Sequence, residues 1–201
     1  MDVFNDIHRN NMWGSEESVS GPGSTAGQTI RLAAGFDAAV KELGVTSICD
    51  VACGDFQWLS RTEASRLVVS ASDVVPYIVD RNRALYPSVD FAVRDVCADP
   101  IPRCDLVLAR DVFVHLSIDA ISRAIRNVKK SGARYLATTT FINRENRDIK
   151  TGEWRPLCLF AKPFYWPPPE VLISERCTEK FPNFVDKSLG IWELSSIITL
   201  L

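Results

Sequence analysis

Four apolar runs follow one another along the chain, and each ends at an aspartate. They are Thr46-Ser47-Ile48-Cys49-Asp50, Leu67-Val68-Val69-Ser70-Ala71-Ser72-Asp73, Val89-Asp90-Phe91-Ala92-Val93-Arg94-Asp95 and Leu106-Val107-Leu108-Ala109-Arg110-Asp111. If the runs are strands of an open parallel sheet, the carboxylates stand beyond the carboxyl ends, where such sheets bind ligands. A row of carboxylates suits a ligand that is rich in hydroxyls and positively charged, and it repels phosphate.

The turn Cys49-Asp50-Val51-Ala52-Cys53-Gly54-Asp55-Phe56 follows the first run, the right context for a nucleotide loop. It fails as a dinucleotide fingerprint because two of the usual glycines are Ala52 and Phe56. Phe56 is expected to hinder the close backbone approach a diphosphate needs, and Asp50 and Asp55 oppose its charge. Asp73 lies about twenty residues on, where an acid takes ribose hydroxyls in related folds. Asp95 is placed to reach an adenine amino group. Taken singly, each reads as a solvated loop acid; the ordered set does not.

Arg110-Asp111-Val112-Phe113-Val114-His115-Leu116-Ser117 follows the fourth run, facing the reactive end of such a ligand. A hydroxyl is a poor nucleophile at neutral pH and needs a general base. Asp111 and His115 are the candidates, and the sequence leaves the choice open. His115 also fits a loop histidine that only supports its turn. Thr138-Thr139-Thr140-Phe141 and the segment with Asn146, Asp148, Trp154, Arg155 and Trp166 supply hydroxyls, indoles and polar groups suited to a polar ring such as a sugar. Thr140, Trp154 and Arg155 are the candidate acceptor contacts. Packing of the loop is the competing reading for Trp154 and Trp166.

These groups need a scaffold. Thr25 and Gln28 have capping-box spacing, before a helix over 28–43 that is expected to bury Ile30, Ala33, Ala34, Phe36, Val40 and Leu43. Gly44 suits a left-handed cap. Strands are expected at 46–51, 67–72, 91–94, 106–109 and 134–141, with a short helix through Phe56 and Trp58. Further helices are expected over 76–86 and from a Ser117 cap to Lys130. Residues 1–24 read as a polar loop, and 143–169 as a long functional or mobile loop. The late runs 171–180 and 189–200 read as strands. Their short link makes them an antiparallel hairpin added to the sheet.

The chain has 201 residues, 46% hydrophobic and 24% charged, with a formal net charge of −2. Nothing global points to nucleic acid or anionic membranes. Six scattered cysteines without a CxxC pair suggest reduced thiols and a cytoplasmic setting. Two histidines argue against zinc. No secretory signal or membrane-length apolar run is visible.

The order of these motifs, from about Trp13 to Trp192, resembles that of the class I, Rossmann-like S-adenosylmethionine-dependent methyltransferases. Asp50–Phe56 matches the first motif imperfectly, Asp73 the ribose acid, Asp95 the adenine-side acid, and Arg110-Asp111 the fourth motif. The resemblance implies an α/β fold: a seven-stranded, mostly parallel sheet with helices on both faces and an antiparallel C-terminal hairpin. It implies S-adenosyl-L-methionine as cofactor, held by Asp50, Ala52, Gly54, Asp73, Val74, Asp95, Val96 and Arg110. It also implies a lid before the first helix, with Trp13, Ser20 and Ser24 against the cofactor. One domain over 1–201 is expected: lid 1–26, cofactor core 27–141, acceptor loop 142–170 and hairpin 171–201. The expected activity is O-methylation of a small polar molecule or glycan, with no metal. The alternatives are a non-catalytic cofactor-binding module and an N- or nucleic-acid methyltransferase. An NAD-type oxidoreductase is disfavoured by the missing glycines.

Overall fold

The structure is a computed structural model and describes residues 2–179 and 181–198. Its sheet has the order β3-β2-β1-β4-β5-β7-β6. The strands are β1 (Ile48–Val51), β2 (Val68–Asp73), β3 (Phe91–Val93), β4 (Leu106–Ala109), β5 (Tyr135–Thr140), β6 (Val171–Ser174) and β7 (Ser188–Glu193). β1 to β5 pair in parallel, while β7 runs antiparallel to both β5 and β6. The strand order reverses between β1 and β4, the point where open α/β sheets form a crevice. The expected fold class is the one observed. β1 and β4 are buried on both faces, as strands sandwiched between layers must be.

Four helices accompany the sheet: α1 (Asp2–Arg9), α2 (Ala26–Glu42), α3 (Pro76–Leu85) and α4 (Ile118–Lys130). α2 packs on one face, where Leu32, Phe36, Ala39 and Val40 meet Ile48, Leu106 and Ile191. α4 covers the other through Ile121, Ala124, Ile125 and Val128. Ser117 caps α4, its hydroxyl accepting from Ala120 N at 3.2 Å. Gly44 closes α2 at φ 63°, with Gly44 N donating to Lys41 O and Val45 N to Val40 O, the bond pair of a Schellman motif.

Several expectations need correction. Residues 2–9 are helical rather than loop, with Ile7 buried. The capping box at Thr25 does not form: the Thr25 hydroxyl donates to Pro22 O, Glu17 takes the Ala26 N–H, and Gln28 Oε1 accepts from Thr178. Two 3-10 turns, Leu59–Arg61 and Glu63–Leu67, stand in place of the short helix through Phe56 and Trp58. The buried face of α2 is rotated from the expected one, and Ile30 is 70% exposed. Gly35 explains the rotation. A Cβ there would lie 2.7 Å from Ile173 Cγ2, so this bare face lets α2 sit close on β6. The late strands are shorter than expected; residues 180 and 199–201 of those runs lie outside the described residues.

The segment 142–170 does the work of a crossover helix without being one. It buries Leu157, Leu159, Phe164 and Trp166 against α4 and Trp192. Its backbone is tied down by Phe141 N to Leu157 O and Trp166 N to Leu159 O, and Trp192 Nε1 donates to Pro167 O at 2.8 Å. Packing is therefore what Trp166 does. No helix among the described residues is long and apolar enough to cross a membrane.

The rotated face of α2 is testable. Leu32→Ala should cost about 2–5 kcal/mol of unfolding free energy by denaturant titration, and Ile30→Ala less than about 0.5 kcal/mol. Equal costs would contradict the observed packing.

Candidate active site

A cleft of about 890 Å³, its open mouth included, lies at the carboxyl ends of β1 to β4. Its floor and walls are Asp50, Ala52, Cys53, Gly54, Asp55, Asp73, Val74, Asp95, Val96, Arg110, Asp111, Val112, His115 and Leu116. Phe4, His8, Trp13, Ser20, Ser24 and Trp58 complete the lining. The structure thus gathers every expected cofactor residue and both candidate bases around one cavity. It adds Phe4 and His8 from α1, which sequence reasoning missed by taking residues 1–24 as loop, although Val3, Phe4 and Ile7 recur at helical spacing.

The first turn is shaped by backbone conformation. Ala52, Gly54 and Phe56 have φ of 58°, 53° and 58°, all left-handed. A Cβ on Gly54 would collide with Ser20 Oγ, so glycine is needed for conformation and for space. The segment before α2 is stitched to this turn: Ser18 Oγ donates to Asp55 Oδ2 at 2.7 Å, and Asp55 N donates to Ser20 Oγ at 3.0 Å. Phe56 does not crowd the cleft as expected. Its positive φ turns the ring into the core, against Tyr86 and Phe91. The case against a diphosphate therefore rests on the carboxylates.

Asp73 is buried at the end of β2. Its Oδ2 accepts from Gly54 N and its Oδ1 from Val75 N, both at 3.0 Å. Burial pushes its pKa up, and these N–H groups pull it back. The Asp50 carboxylate, on a residue 4% exposed, receives no hydrogen bond from the described residues. Burial raises its pKa well above the carboxylate range; Asp73 adds to the rise and Arg110 opposes it. Asp95 is partly exposed, its Oδ1 accepting from Cys97 N at 2.8 Å. His8 lines the same cleft with Nδ1 buried and unpartnered, and burial lowers its pKa.

The other end of the cleft is built by charges the sequence reading did not connect. Arg110 grips Glu175 with two bonds, Nε to Oε1 at 3.1 Å and Nη2 to Oε2 at 2.7 Å. It also donates to Gly23 O and Ser24 Oγ. Lys187 Nζ lies 2.6 Å from Asp111 Oδ2 and 3.5 Å from Glu175 Oε2. Asp111 adopts φ 55°, and its N–H donates to Thr139 Oγ1 at 2.8 Å. Burial works against its charge, but Lys187 and Arg110 outweigh burial and hold its pKa far below the usual range. Glu175 and Lys187 flank the strands of the late hairpin. Charges at strand ends ordinarily face water, so their pattern gave no signal of this cluster.

His115 is differently placed. Its Nδ1 lies 3.1 Å from Glu153 O, and its ring is tilted against Trp13 at 5.2 Å between centroids. Burial lowers its pKa below 6.5, with Asp111 opposing. That lowering favours the neutral form of the imidazole.

The three expected acceptor contacts do not line the cleft. Thr140 is fully buried, its hydroxyl accepting from Leu159 N at 3.1 Å. Trp154 packs edge-on against Phe141 and Phe184. Arg155 is 1% exposed and donates to the carbonyls of Phe113, Leu116 and Arg147 at 2.7, 2.8 and 3.3 Å. A guanidinium buried this deeply, with Nε, Nη1 and Nη2 each spent on a backbone carbonyl, is turned away from the cleft, which is why the sequence expectation fails there.

No family model and no curated protein matches this chain. Solved structures do. Human N-acetylserotonin methyltransferase in complex with SAM aligns at a TM-score of 0.62 and 13% identity, over 96% of this chain and 59% of that one. The PH0226 protein from Pyrococcus horikoshii OT3 aligns at 0.59 and 14%, over 86% and 95%. Magnesium protoporphyrin IX methyltransferase from Synechocystis PCC 6803 with bound SAH aligns at 0.54 and 17%, over 71% of each chain. Together with the strand order, these matches establish the fold as that of the class I, Rossmann-like methyltransferases.

Breaking the buried ion pair leaves an uncompensated charge. Glu175→Ala should lower the unfolding free energy by about 3–5 kcal/mol, whereas an exposed pair such as Arg123–Asp119 should give under about 1 kcal/mol on Asp119→Ala. Chemical denaturation of both variants checks the contrast.

Proposed function

We propose that this chain is an S-adenosylmethionine-dependent methyltransferase acting on a hydroxyl of a small polar molecule or sugar. The observation that carries this reading is the division of one cleft into two ends. One end is a buried carboxylate set, the other a neutral histidine beside a locked ion cluster.

The residues fit the cofactor. Gly54 leaves room for the methionine part, and Ser20, Ser24 and Arg110 surround that end. The unpartnered Asp50 carboxylate suits a cationic ligand. Asp73 has lone pairs left for a ribose diol, and charge assistance strengthens such bonds. Asp95 with Val74 and Val96 forms the adenine side. A diphosphate would find acceptors rather than donors at Asp50 and Asp73, because Asp73 already takes the N–H groups of Gly54 and Val75. The bound cofactor supplies a methyl group on a positively charged sulfur.

His115 is the base in this reading. Asp111 is unsuited because Lys187 and Arg110 hold it ionised, so it orients the acceptor by accepting a hydrogen bond. The acceptor hydroxyl gives its proton to His115. The oxygen so activated would be placed to accept the methyl group that the bound cofactor would supply. Trp13 replaces Trp154 and Arg155 as the ring platform for a sugar or other polar ring. One domain over 1–201 carries all of this, with 1–26 as the lid. The six free thiols suit a reducing, cytoplasmic compartment.

Calorimetry should detect S-adenosylmethionine binding, weakened about ten- to hundredfold by Asp73→Ala, the loss of charge-assisted bonds of roughly 1.5–3 kcal/mol. No heat of binding in the unaltered protein would sink the assignment.

The base has a pH signature. His115 must be neutral to accept a proton, and burial lowers its pKa, so the acid limb of the rate should fall below pH 6.5. His115→Gln should keep cofactor affinity, lose about 10²–10⁴ in turnover, and lose that limb. Unchanged turnover would remove His115 from the chemistry.

A further inference from the structure

We propose that the segment 147–155 is a clamp that selects the tautomer and orientation of His115, with Arg155 as its positioning residue. The inference deepens the reading above, since it concerns the residue assigned there as base.

The connection after β4 carries both Asp111 and His115, and a free loop of that kind would leave its carbonyls to water. Instead, four successive carbonyls accept from one segment. Arg155 Nη1 donates to Phe113 O at 2.7 Å, Arg155 N to Val114 O at 3.1 Å, Gly152 N to His115 O at 2.9 Å, and Arg155 Nη2 to Leu116 O at 2.8 Å. The next two N–H groups are taken as well. Ser117 N donates to Thr151 Oγ1 at 3.2 Å and Ile118 N to Asp148 Oδ1 at 2.8 Å. The backbone around His115 is thereby fixed on both sides of the residue. The planar fork of arginine reaches Phe113 O and Leu116 O at once, which a lysine ammonium cannot reproduce.

The same segment sets the protonation of the ring. Glu153 O lies 3.1 Å from His115 Nδ1, and a carbonyl can only accept. The neutral ring therefore carries its proton on Nδ1, and Nε2 keeps the lone pair. Second partners of this kind are how proteins choose between the two nitrogens. When Nε2 takes the acceptor's proton, Nδ1–H keeps its bond to Glu153 O, so the clamp holds in both states. Three charged groups act on the ring: Asp111 favours its charged form, while Lys187 and Arg155 oppose it. Trp13 stands against the ring, with His8 beyond it. Arg155, buried and opposed only by Asp148, has its own pKa lowered to about 10 and stays charged at neutral pH.

The readout is the tautomer. The chain has two histidines, so long-range proton–nitrogen spectra of histidine-labelled protein resolve both, and His115→Gln assigns them. At pH 7.5 the His115 signals should show a protonated Nδ1 and a pyridine-type Nε2. Arg155→Lys should convert this to a mixture with the Nε2–H form. It should also lower kcat at least tenfold and leave affinity for S-adenosylhomocysteine within twofold. An Nε2–H tautomer in the unaltered protein would overturn the clamp without any variant having to fold. So would an Arg155→Lys protein with unchanged tautomer and kcat. Full turnover in His115→Gln alongside an Nδ1–H tautomer would remove the base assignment and still support the clamp, so the two ideas fail separately.

Discussion

The guanidinium of Arg110 is the constraint on which the site depends. It joins the segment before α2 at Gly23 and Ser24, the acidic turn after β4, and Glu175 just past β6. Gly23, Ser24 and Glu175 are 87, 86 and 65 residues from it in the chain. A charge buried this deeply is tolerable only with most of its donors used, and here they are. Burial disfavours the charged form, yet Glu175 and Asp111 outweigh it and hold the arginine ionised. Trp58 lies under it at 5.5 Å. Because the arginine cannot let go of one partner cheaply, the segment before α2, the sheet edge and the hairpin are kept in register.

That arrangement divides the cleft by charge. Asp50 and Asp73 stand in a dry floor where carboxylates resist ionisation, so a positively charged ligand gains there what solvent no longer provides. In the same cleft, Asp111 is held ionised by two cations. Aspartates after neighbouring strands thus have opposite tendencies because their neighbours differ. Divergent environments for like groups are a mark of working sites, and in the proposed function they separate a binding end from a reacting end.

The elements were legible where the signal is local. Runs of β-branched and aliphatic residues located β1, β2, β4 and β5 to within a residue or two, and Ser117 and Gly44 marked helix ends through bonds that span a single turn. Legibility failed where a distant part of the chain competes for the same groups. Gln28 has the spacing to cap α2, but Thr178 takes its side chain. Ile30 belongs to the apolar pattern of α2, yet the bare Gly35 face admits Ile173 and turns Ile30 outward. Arg155 looks like a ligand contact in a polar loop, until three carbonyls of another loop are brought to it.

By itself the sequence determined the sheet, its order of acidic strand ends, the glycine turn and the family pattern they resemble, since strands and turns are written in short-range periodicity and conformational preference. Only the tertiary structure decided which charges meet. Nothing in the spacing of Arg110, Glu175 and Lys187 foretells a buried cluster, and nothing in Glu153 foretells that its carbonyl faces a histidine 38 residues away. The reason is physical. A carboxylate or guanidinium has the same intrinsic preference everywhere on a chain, and its pKa and partners are set by burial and by neighbours that the fold alone supplies.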